Sequence, residues 1–322
     1  MTDLQTLIRE RLTHNRGGLL SHQGYVLGID LGGYGLRAAL VDLSSNSFTS
    51  VDTKIEQAPP DQVVAHAIDM ARTLLKKADV ATGHLVRVGV GFGGPLDLHH
   101  GVVRLSPRME GWENYPLQER FEQAFDTVTL IDNDANLIAL GEATFGVAKG
   151  RQHVFYMHLS SGVGGGTVLN GRLYHGATST AGEIGHAVVG RGWDGTGRPE
   201  TLEELVSISG LVRRAHAQGL ETDNLDDIFG DHPVGQRVVQ ETIDLIAIRC
   251  AQTVALLDPE IIVLGGIVVR IGGDRFVTAI GDKMNDFIAP QFARPVPVVA
   301  SVLGPDSVTM GAVALALDSL TD

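Results

Sequence analysis

The chain has 322 residues, 43% of them hydrophobic, and a formal net charge of −13 at pH 7. This length and apolar content can fill two hydrophobic cores, whereas the negative charge argues against a nucleic-acid-binding face and against binding to anionic membranes. A single cysteine, Cys250, rules out an internal disulfide, so we expect a cytoplasmic protein without a signal peptide or transmembrane segment.

Residues 1–24 carry Leu4, Leu7, Ile8 and Leu12 at helical spacing, followed by a Gly-Gly loop. This pattern predicts a short amphipathic helix and a linker. Two interpretations remain open, a mobile leader and a helix packed on the body or on a second subunit. The segment is too short for a helix-turn-helix domain, which needs three helices around a core.

The next part of the chain alternates apolar strands with glycine turns. Strands are predicted at Tyr25–Asp30, Leu36–Leu43, Phe48–Ile55 and Leu85–Val90, and a helix at Pro60–Lys77. The turn Leu31-Gly32-Gly33-Tyr34-Gly35 leaves backbone N–H groups uncovered, as phosphate-binding turns do, although glycine-rich hairpins are common. Asp30, at the tip, is either a solvated turn aspartate or a carboxylate that faces Mg²⁺.

Two further stretches combine polar or glycine residues with the end of a predicted strand. The run Gly91-Phe92-Gly93-Gly94-Pro95 is either a plain turn or a loop whose backbone approaches a ligand closely. Val128–Ile131 predicts a buried strand, and the helical spacing from Leu137 to Phe145 predicts a helix. Asn133 and Asp134 lie at this junction, where N–H groups are unpaired, and form either an ordinary helix cap or part of a site.

The first hairpin has a counterpart further along the chain. Val154–Leu159 and the strand through Leu169 flank a second small-residue turn, which contains Ser161, Gly162 and Gly164. Strand, turn and returning strand thus recur at an offset of 128 positions, Asp30 against His158. This repeat predicts two lobes, each of which presents a phosphate-binding hairpin to a shared cleft that excludes water.

The remaining polar candidates lie in the second half. Glu183 and His186 are three residues apart between glycines, and this pair is either structural or functional. Glu203 lies in the first turn of a predicted helix, Leu202–His216, where it is either a site residue or a surface acid that matches the helix dipole. A predicted strand at Ile261–Leu264 runs into Gly265-Gly266, where an open α/β sheet accommodates a nucleotide.

The last predicted elements complete an α/β pattern. Helices are predicted at Pro233–Leu257, Phe276–Ile288 and Gly311–Leu320, a strand at Val296–Val302, and a loop or frayed helix at 219–232.

Six motifs, in this order, resemble those of the ROK family, which contains bacterial sugar kinases and sugar-responsive transcriptional regulators. They are Gly28-Ile29-Asp30-Leu31-Gly32-Gly33, Asp132-Asn133-Asp134-Ala135-Asn136, Leu140-Gly141-Glu142, Gly162-Val163-Gly164-Gly165-Gly166, Gly182-Glu183-Ile184-Gly185-His186 and Asp258-Pro259-Glu260-Ile261-Ile262-Val263-Leu264-Gly265-Gly266. The resemblance implies two actin-like, ribonuclease-H-like lobes around a central cleft, and a homodimer. The implied small lobe comprises residues 25–132 and 304–322, and the implied large lobe 133–303.

The resemblance also implies a function, the ATP-dependent phosphorylation of a sugar hydroxyl in the manner of a glucokinase. Asp134 matches the general base, and Asp30 lies near Mg²⁺, bound through water. The implied sugar contacts are Gly94, Asn133, Glu183, His186 and Glu203. The implied ATP-site residues are Gly32, Gly33, Ser161, Gly162, Gly164, Gly265 and Gly266.

Three positions depart from the family pattern. Where members continue Gly-Gly-Thr-Lys, this chain has Gly33-Tyr34-Gly35. The family's cysteine-rich zinc segment is absent apart from its tail, Thr201-Leu202-Glu203, so no structural zinc is expected. Arg108 stands where many members have an asparagine on the sugar, which suits an acidic or phosphorylated substrate.

These departures leave an alternative function. The chain is then a non-catalytic sugar-binding sensor, related to ROK regulators but lacking their DNA-binding domain. The altered first turn and Asp132 favour this interpretation, whereas the acidic composition, Asp30 with Asp134, and the second glycine turn favour the kinase. An inactive assembly subunit is a third possibility.

Overall fold

A computed structural model describes residues 24–32, 35–45, 47–56, 58–105, 110–191, 197–288 and 294–320. The predicted leader helix lies outside these residues. The chain forms two compact units. Unit 1 contains the described residues up to Lys149, the segment His175–Thr180, and those from Leu303 onward, and unit 2 contains Gly150–Tyr174 and Ala181–Val302.

Unit 1 is built around one mixed β-sheet. Its strands and helices are β1 (Tyr25–Gly32), β2 (Gly35–Asp42), β3 (Ser47–Lys54), α1 (Pro60–Lys77), β4 (Leu85–Phe92), β5 (Leu96–Asp97), β6 (Val102–Val103), α2 (Leu117–Phe125), β7 (Thr129–Asn133), α3 (Asp134–Thr144) and α9 (Ser307–Asp318). The strand order is β3-β2-β1-β4-β7. The first three strands pair antiparallel, and β1, β4 and β7 run parallel. The carboxyl ends of β1, β4 and β7 therefore meet at one edge of the sheet.

Helices cover both faces of this sheet. Apolar residues of α1 and α2 share a core with alternate residues of β1 and β4, and α9 packs on the opposite face and against α3. The contact with α9 is made by backbone, because a Cβ on Gly89 would lie 2.1 Å from the carbonyl oxygen of Ala312. A Cβ on Gly311 would likewise lie 1.9 Å from that of Leu137. Any larger residue at these glycines forces α9 away from the layers it joins.

Unit 2 repeats this arrangement. Its elements are β8 (Val154–Leu159), β9 (Val163–Leu169), β10 (Arg172–Leu173), β11 (Val188–Arg191), β12 (Pro199–Thr201), α4 (Leu202–Val206), α5 (Ile208–Ala217), α6 (Leu225–Ile228), α7 (Pro233–Leu257), β13 (Ile261–Gly265), α8 (Ile267–Phe287) and β14 (Val298–Ala300). The strand order is β10-β9-β8-β13-β14, antiparallel as far as β8 and parallel beyond it. Helices α4 to α8 contribute to one core with β8 and β13. The predicted α/β fold with two lobes is confirmed.

Three predicted helices were wrong in their bounds, and one of them is the last, predicted at Gly311–Leu320 and observed as α9 at Ser307–Asp318. The helix predicted at Leu202–His216 is broken at Ser207, whose extended backbone (φ −69°, ψ 167°) ends α4 and whose side chain caps α5 by accepting a hydrogen bond from Gly210 N. The range Ile267–Phe287 consists of two helical segments joined by a kink at Gly273, whose conformation is not helical (φ 64°, ψ −167°). The helix predicted at Phe276–Ile288 corresponds to the second segment, and the first segment was not predicted.

Smaller differences concern strand ends and the division of the chain. Val128 precedes β7 and is 53% exposed, and the strand predicted at Val296–Val302 shortens to Val298–Ala300. The polar stretch 219–232 contains α6. The sequence placed α3 in the large lobe, whereas it packs on α9 within unit 1. Within the described parts of the chain, no helix combines the length and apolar character needed to cross a membrane.

Candidate active site

In unit 1, the predicted site residues follow neighbouring parallel strands. Asp30 on β1 pairs with Gly91 on β4, and Phe92 on β4 pairs with Asn133 on β7. These registers bring Asp30, the glycines that follow β4, and the start of α3 to the same sheet edge. Loops after the carboxyl ends of parallel strands are where open α/β sheets bind ligands.

Asn133 and Asp134 form the junction of β7 and α3. Asn133 is the N-cap: its Oδ1 accepts a hydrogen bond from Ala135 N at 2.9 Å, while its Nδ2 donates one to Gly94 O at 3.0 Å. Asp134 Oδ1 accepts from the same Ala135 N at 2.7 Å. The absence of a side chain at Gly93 leaves room for Asp134, because a Cβ there would lie 3.2 Å from Asp134 Oδ2. The residues that cap α3 are thus the same residues that the sequence predicts as part of a site.

Asp132, the residue before this junction, is 1% exposed and fully engaged. Its Oδ1 accepts hydrogen bonds from Asn133 N at 2.8 Å and from Asn136 Nδ2 at 2.9 Å. Its Oδ2 lies 2.6 Å from His175 Nε2. The hydrogen bond to Asp132 raises the pKa of His175 above its usual value, and partial burial opposes this shift.

Asp30 lies in a cluster of charges at the first hairpin. Burial and then the negative charge of Asp134 raise the pKa of Asp30 to about 7, and the cation of Arg37 opposes the shift. Arg37 is the register partner of Asp30 on β2 and forms an ion pair with Asp306. Burial of Asp30 beside the negative charge of Asp134 favours a nearby cation, and carboxylate oxygens are among the ligands that Mg²⁺ takes in proteins.

This pKa predicts how stability depends on pH in the absence of Mg²⁺. Because the folded state holds the Asp30 proton up to about pH 7 and the unfolded state releases it near pH 4, stability falls as pH rises through this window. An Asp30→Asn variant has no proton to release at this position, so it should not show this fall in stability. Above pH 7 its free energy of unfolding should exceed that of wild type by up to about 4 kcal/mol, at about 1.4 kcal/mol per pKa unit. Chemical denaturation at pH 4 to 8 measures the difference.

The matched control is Asp52→Asn. Asp52 is the other acidic register partner of Arg37, on β3, and it is exposed. This variant should follow the pH dependence of wild type. Identical pH dependence in all three proteins would show that Asp30 is not held protonated.

In unit 2, three predicted sugar contacts surround the start of β9. Glu203, in the first turn of α4, accepts a hydrogen bond from Val163 N through Oε2 at 2.8 Å. A Cβ on Gly185 would lie 2.2 Å from Val163 O, so the loop that carries Glu183 and His186 packs on the same residue. Glu203 is therefore hydrogen-bonded to the residue that follows the second glycine turn.

Glu183 precedes a short 3₁₀ turn, Ile184–His186, and His186 is its last residue. Their closest atoms, Glu183 Oε2 and His186 Nε2, are 3.8 Å apart, and the His186 side chain is 72% exposed. Both side chains therefore present polar atoms at the surface of unit 2, where hydroxyl groups can reach them.

The predicted nucleotide glycines lie at the ends of β8 and β13. Ser161 and Gly162 form the turn between β8 and β9, and Gly266 precedes α8 with a φ of 99°. A Cβ on Gly266 would lie 2.2 Å from Leu159 O. His158 is the register partner of both Gly164 and Gly265, and its Nδ1 lies 2.8 Å from Tyr156 Oη. The two glycine stretches therefore border one strand end.

Some predicted residues are not described by the structure. Gly33 and Arg108 lie outside the described residues, whereas Gly32 ends β1, and a Cβ on it would lie 3.6 Å from Asp30 Oδ1. Among the described residues, no group of three or more histidine, cysteine or acidic side chains is placed to hold a metal ion. The expected absence of zinc stays a prediction.

The sequence did not reveal three polar residues near these sites. Arg37 has no motif and is separated from Asp306 by 269 positions. His175 is 43 positions from its partner Asp132. His158 stood out only as the counterpart of Asp30 in the repeat, so its hydrogen bond with Tyr156 was unforeseen.

Comparison with known proteins defines the class. The sequence pattern of the ROK family matches residues 26–319. The glucokinase of Thermotoga maritima is 29% identical over 313 residues, which cover 90% of this chain and 96% of that protein. The xylose repressor of Caldicellulosiruptor bescii is 26% identical over 320 residues, which cover 92% of this chain and 79% of the repressor.

A solved structure is also similar over most of the chain. The ROK hexokinase of Thermus thermophilus matches with a TM-score of 0.81 and 28% identity over 92% of this chain and 99% of that one. The chain belongs to the ROK family. Its curated relatives at this distance include both glucokinases and xylose repressors.

Proposed function

We propose that the protein transfers the γ-phosphoryl group of ATP to a hydroxyl group of a sugar, with Asp134 as the general base. The observation that carries this proposal is the junction of β7 and α3, where Asp134 follows the capping Asn133 at the sheet edge that also holds Asp30. Phosphoryl transfer needs positioned reactants, a carboxylate at the nucleophile and neutralised phosphate charge. The similarity to a glucokinase supports the same class of reaction.

The residues of unit 1 divide the chemistry among them. Asp134 accepts the hydroxyl proton as the sugar oxygen bonds to phosphorus and the bond to the leaving ADP breaks. Asn133 is held by Gly94 O and keeps its cap, so it fixes the direction from which a hydroxyl group approaches. Asp30 would hold Mg²⁺ through water, and the ion would neutralise phosphate charge when bound.

The residues of unit 2 supply recognition in this proposal. Glu183, His186 and Glu203 offer hydrogen-bond donors and acceptors for sugar hydroxyls. The turn at Ser161-Gly162 and the pair Gly265-Gly266 offer backbone N–H groups to phosphate oxygens. Arg108 would favour a substrate with an acidic or phosphorylated group.

A coupled assay of ADP release tests the function. Purified protein is supplied with Mg²⁺ and ATP and with hexoses, N-acetylhexosamines, sugar acids or sugar phosphates in turn. We expect ADP release that depends on one of these classes and is lost in Asp134→Asn. Release that is equal with and without every sugar would contradict the proposal.

The second candidate, a sugar-binding sensor, is favoured by the similarity to a xylose repressor over 92% of the chain. Calorimetry separates the two candidates. A kinase binds both the sugar and ATP in the presence of Mg²⁺. Sugar binding without detectable ATP affinity would contradict the kinase and support the sensor, and binding of neither would support an inactive assembly subunit.

A further inference from the structure

One short segment of the chain changes unit and returns. Gly150–Tyr174 belong to unit 2, His175–Thr180 belong to unit 1, and Ala181–Val302 belong to unit 2 again. The segment begins two residues after the end of β10 and ends just before the loop that carries Glu183 and His186. Its side-chain anchor in unit 1 is His175, whose Nε2 lies 2.6 Å from Asp132 Oδ2.

Asp132 connects His175 to the backbone next to the candidate base, Asp134. The buried carboxylate binds Asn133 N and Asn136 Nδ2 through Oδ1, and His175 through Oδ2. Because the carboxylate of Asp132 accepts all three hydrogen bonds, the bond to His175 fixes its rotation. The same carboxylate holds the backbone N–H of Asn133. Asn133 N is part of the peptide that turns β7 into α3, and the next residue is Asp134.

We propose that His175 is a positioning residue for Asn133 and Asp134, acting through Asp132. This inference rests on the proposed function, because it assigns a partner to the proposed base. His175 does not touch the reacting atoms in this role.

The pair is sensitive to pH. A carboxylate only accepts hydrogen bonds, so Nε2 must donate, and the imidazolium form donates most strongly. Asp132 is the titratable group that acts on His175 among the described residues, and its hydrogen bond raises the pKa of the histidine. Because the pKa of His175 is raised in the folded state, the stability that the His175–Asp132 pair contributes is complete below the ordinary histidine pKa. This stability is lost as pH rises through the raised pKa.

Kinetics of His175 variants test the role. His175→Ala should lower kcat at pH 7 by about 10- to 100-fold, the effect of a base displaced by a fraction of an ångström to an ångström. The KM for ATP should change by less than about threefold, because uniform binding is untouched. His175→Gln, whose amide can still donate to Asp132, should recover most of the rate and should lack the loss of rate at high pH.

His100→Ala is the matched control. His100 Nδ1 lies 3.0 Å from Asp97 Oδ2, so it is another histidine–aspartate pair of unit 1, but on the β5–β6 hairpin and 68% exposed. This variant should keep the kinetics and pH profile of wild type. If His175→Ala and His175→Gln also behave as wild type, the positioning role is refuted while the kinase function stands.

A measurement that does not depend on activity distinguishes failure of the positioning role from failure of the proposed function. NMR titration of wild type should give His175 a pKa above the ordinary histidine value, and Asp132→Asn should lower it. If no sugar is phosphorylated by wild type, the proposed function fails, yet a raised His175 pKa still supports the link to Asp132. An ordinary pKa in wild type would overturn the inference even in an active enzyme.

Discussion

Replacing Asp134 with asparagine lowers kcat by at least about 10²-fold, the usual loss when a general base is removed. The amide keeps the shape of the side chain and its Oδ1 can still accept the hydrogen bond from Ala135 N, but it cannot take the proton of a sugar hydroxyl. Since the base acts mainly in the transition state, sugar affinity should stay within about tenfold of wild type. The coupled ADP assay gives kcat, and calorimetry gives the affinity.

Asp226→Asn provides the control for this substitution. Asp226 lies in the first turn of α6, where Asn224 Oδ1 accepts its backbone N–H as the cap. Asp226→Asn is therefore the same substitution, in the first turn of a helix that also has an asparagine as its N-cap. This variant should retain full turnover. Wild-type turnover in Asp134→Asn would exclude Asp134 as the base.

Gly266→Ala is expected to weaken ATP binding by at least about tenfold, because it disturbs the proposed phosphate contacts. The residue combines a φ of 99° with an approach to Leu159 O that leaves no room for a Cβ. An added methyl group must move the start of α8 away from the end of β8, where the turn at Ser161 begins. Calorimetric titration with ATP and Mg²⁺ measures the affinity, and denaturation measures stability.

The same helix offers a control that separates strain from contact. Gly273 also has a positive φ, 64°, with ψ near that of Gly266, but a Cβ on it would meet no atom within 4 Å. Both alanine variants lose the roughly 1–3 kcal/mol of a strained backbone conformation, and only Gly266→Ala should lose nucleotide affinity. Equal ATP affinity in folded Gly266→Ala and wild type would remove Gly265-Gly266 from the nucleotide site.

Local patterns in the sequence were sufficient to predict most strands and helices. Helix α1 and helix α7 have the predicted bounds because each begins with proline at its first position and carries an uninterrupted apolar pattern. Ser207 was missed because the apolar spacing continues across it, although the chain leaves the helical conformation for one residue. A periodicity reports which face is buried, and it does not report whether the backbone between two buried residues is continuous.

In the candidate site too, residues that are close in the sequence were predictable, and contacts between residues far apart in the sequence were not. Asn133 and Asp134 were predictable, because a polar pair at a strand-to-helix junction is visible within ten residues. The Asp132–His175 pair and the Arg37–Asp306 pair were not, since each joins positions that only the folded sheet brings together. Such long-range pairs carry no spacing in the sequence, even where they set the charge and orientation of the predicted residues.

The way α9 closes the sheet of unit 1 has a consequence for the synthesis of the protein. The helix packs on Gly89 and, through Gly311, on α3, yet about 160 residues separate its first residue, Ser307, from Lys149. Ribosomes add about 5–20 residues per second, so these positions are made on the order of 8–32 s apart. During that interval a nascent chain carries a half-covered sheet, which makes the exposed backbone around Gly89 a binding surface for chaperones until translation reaches the last helix.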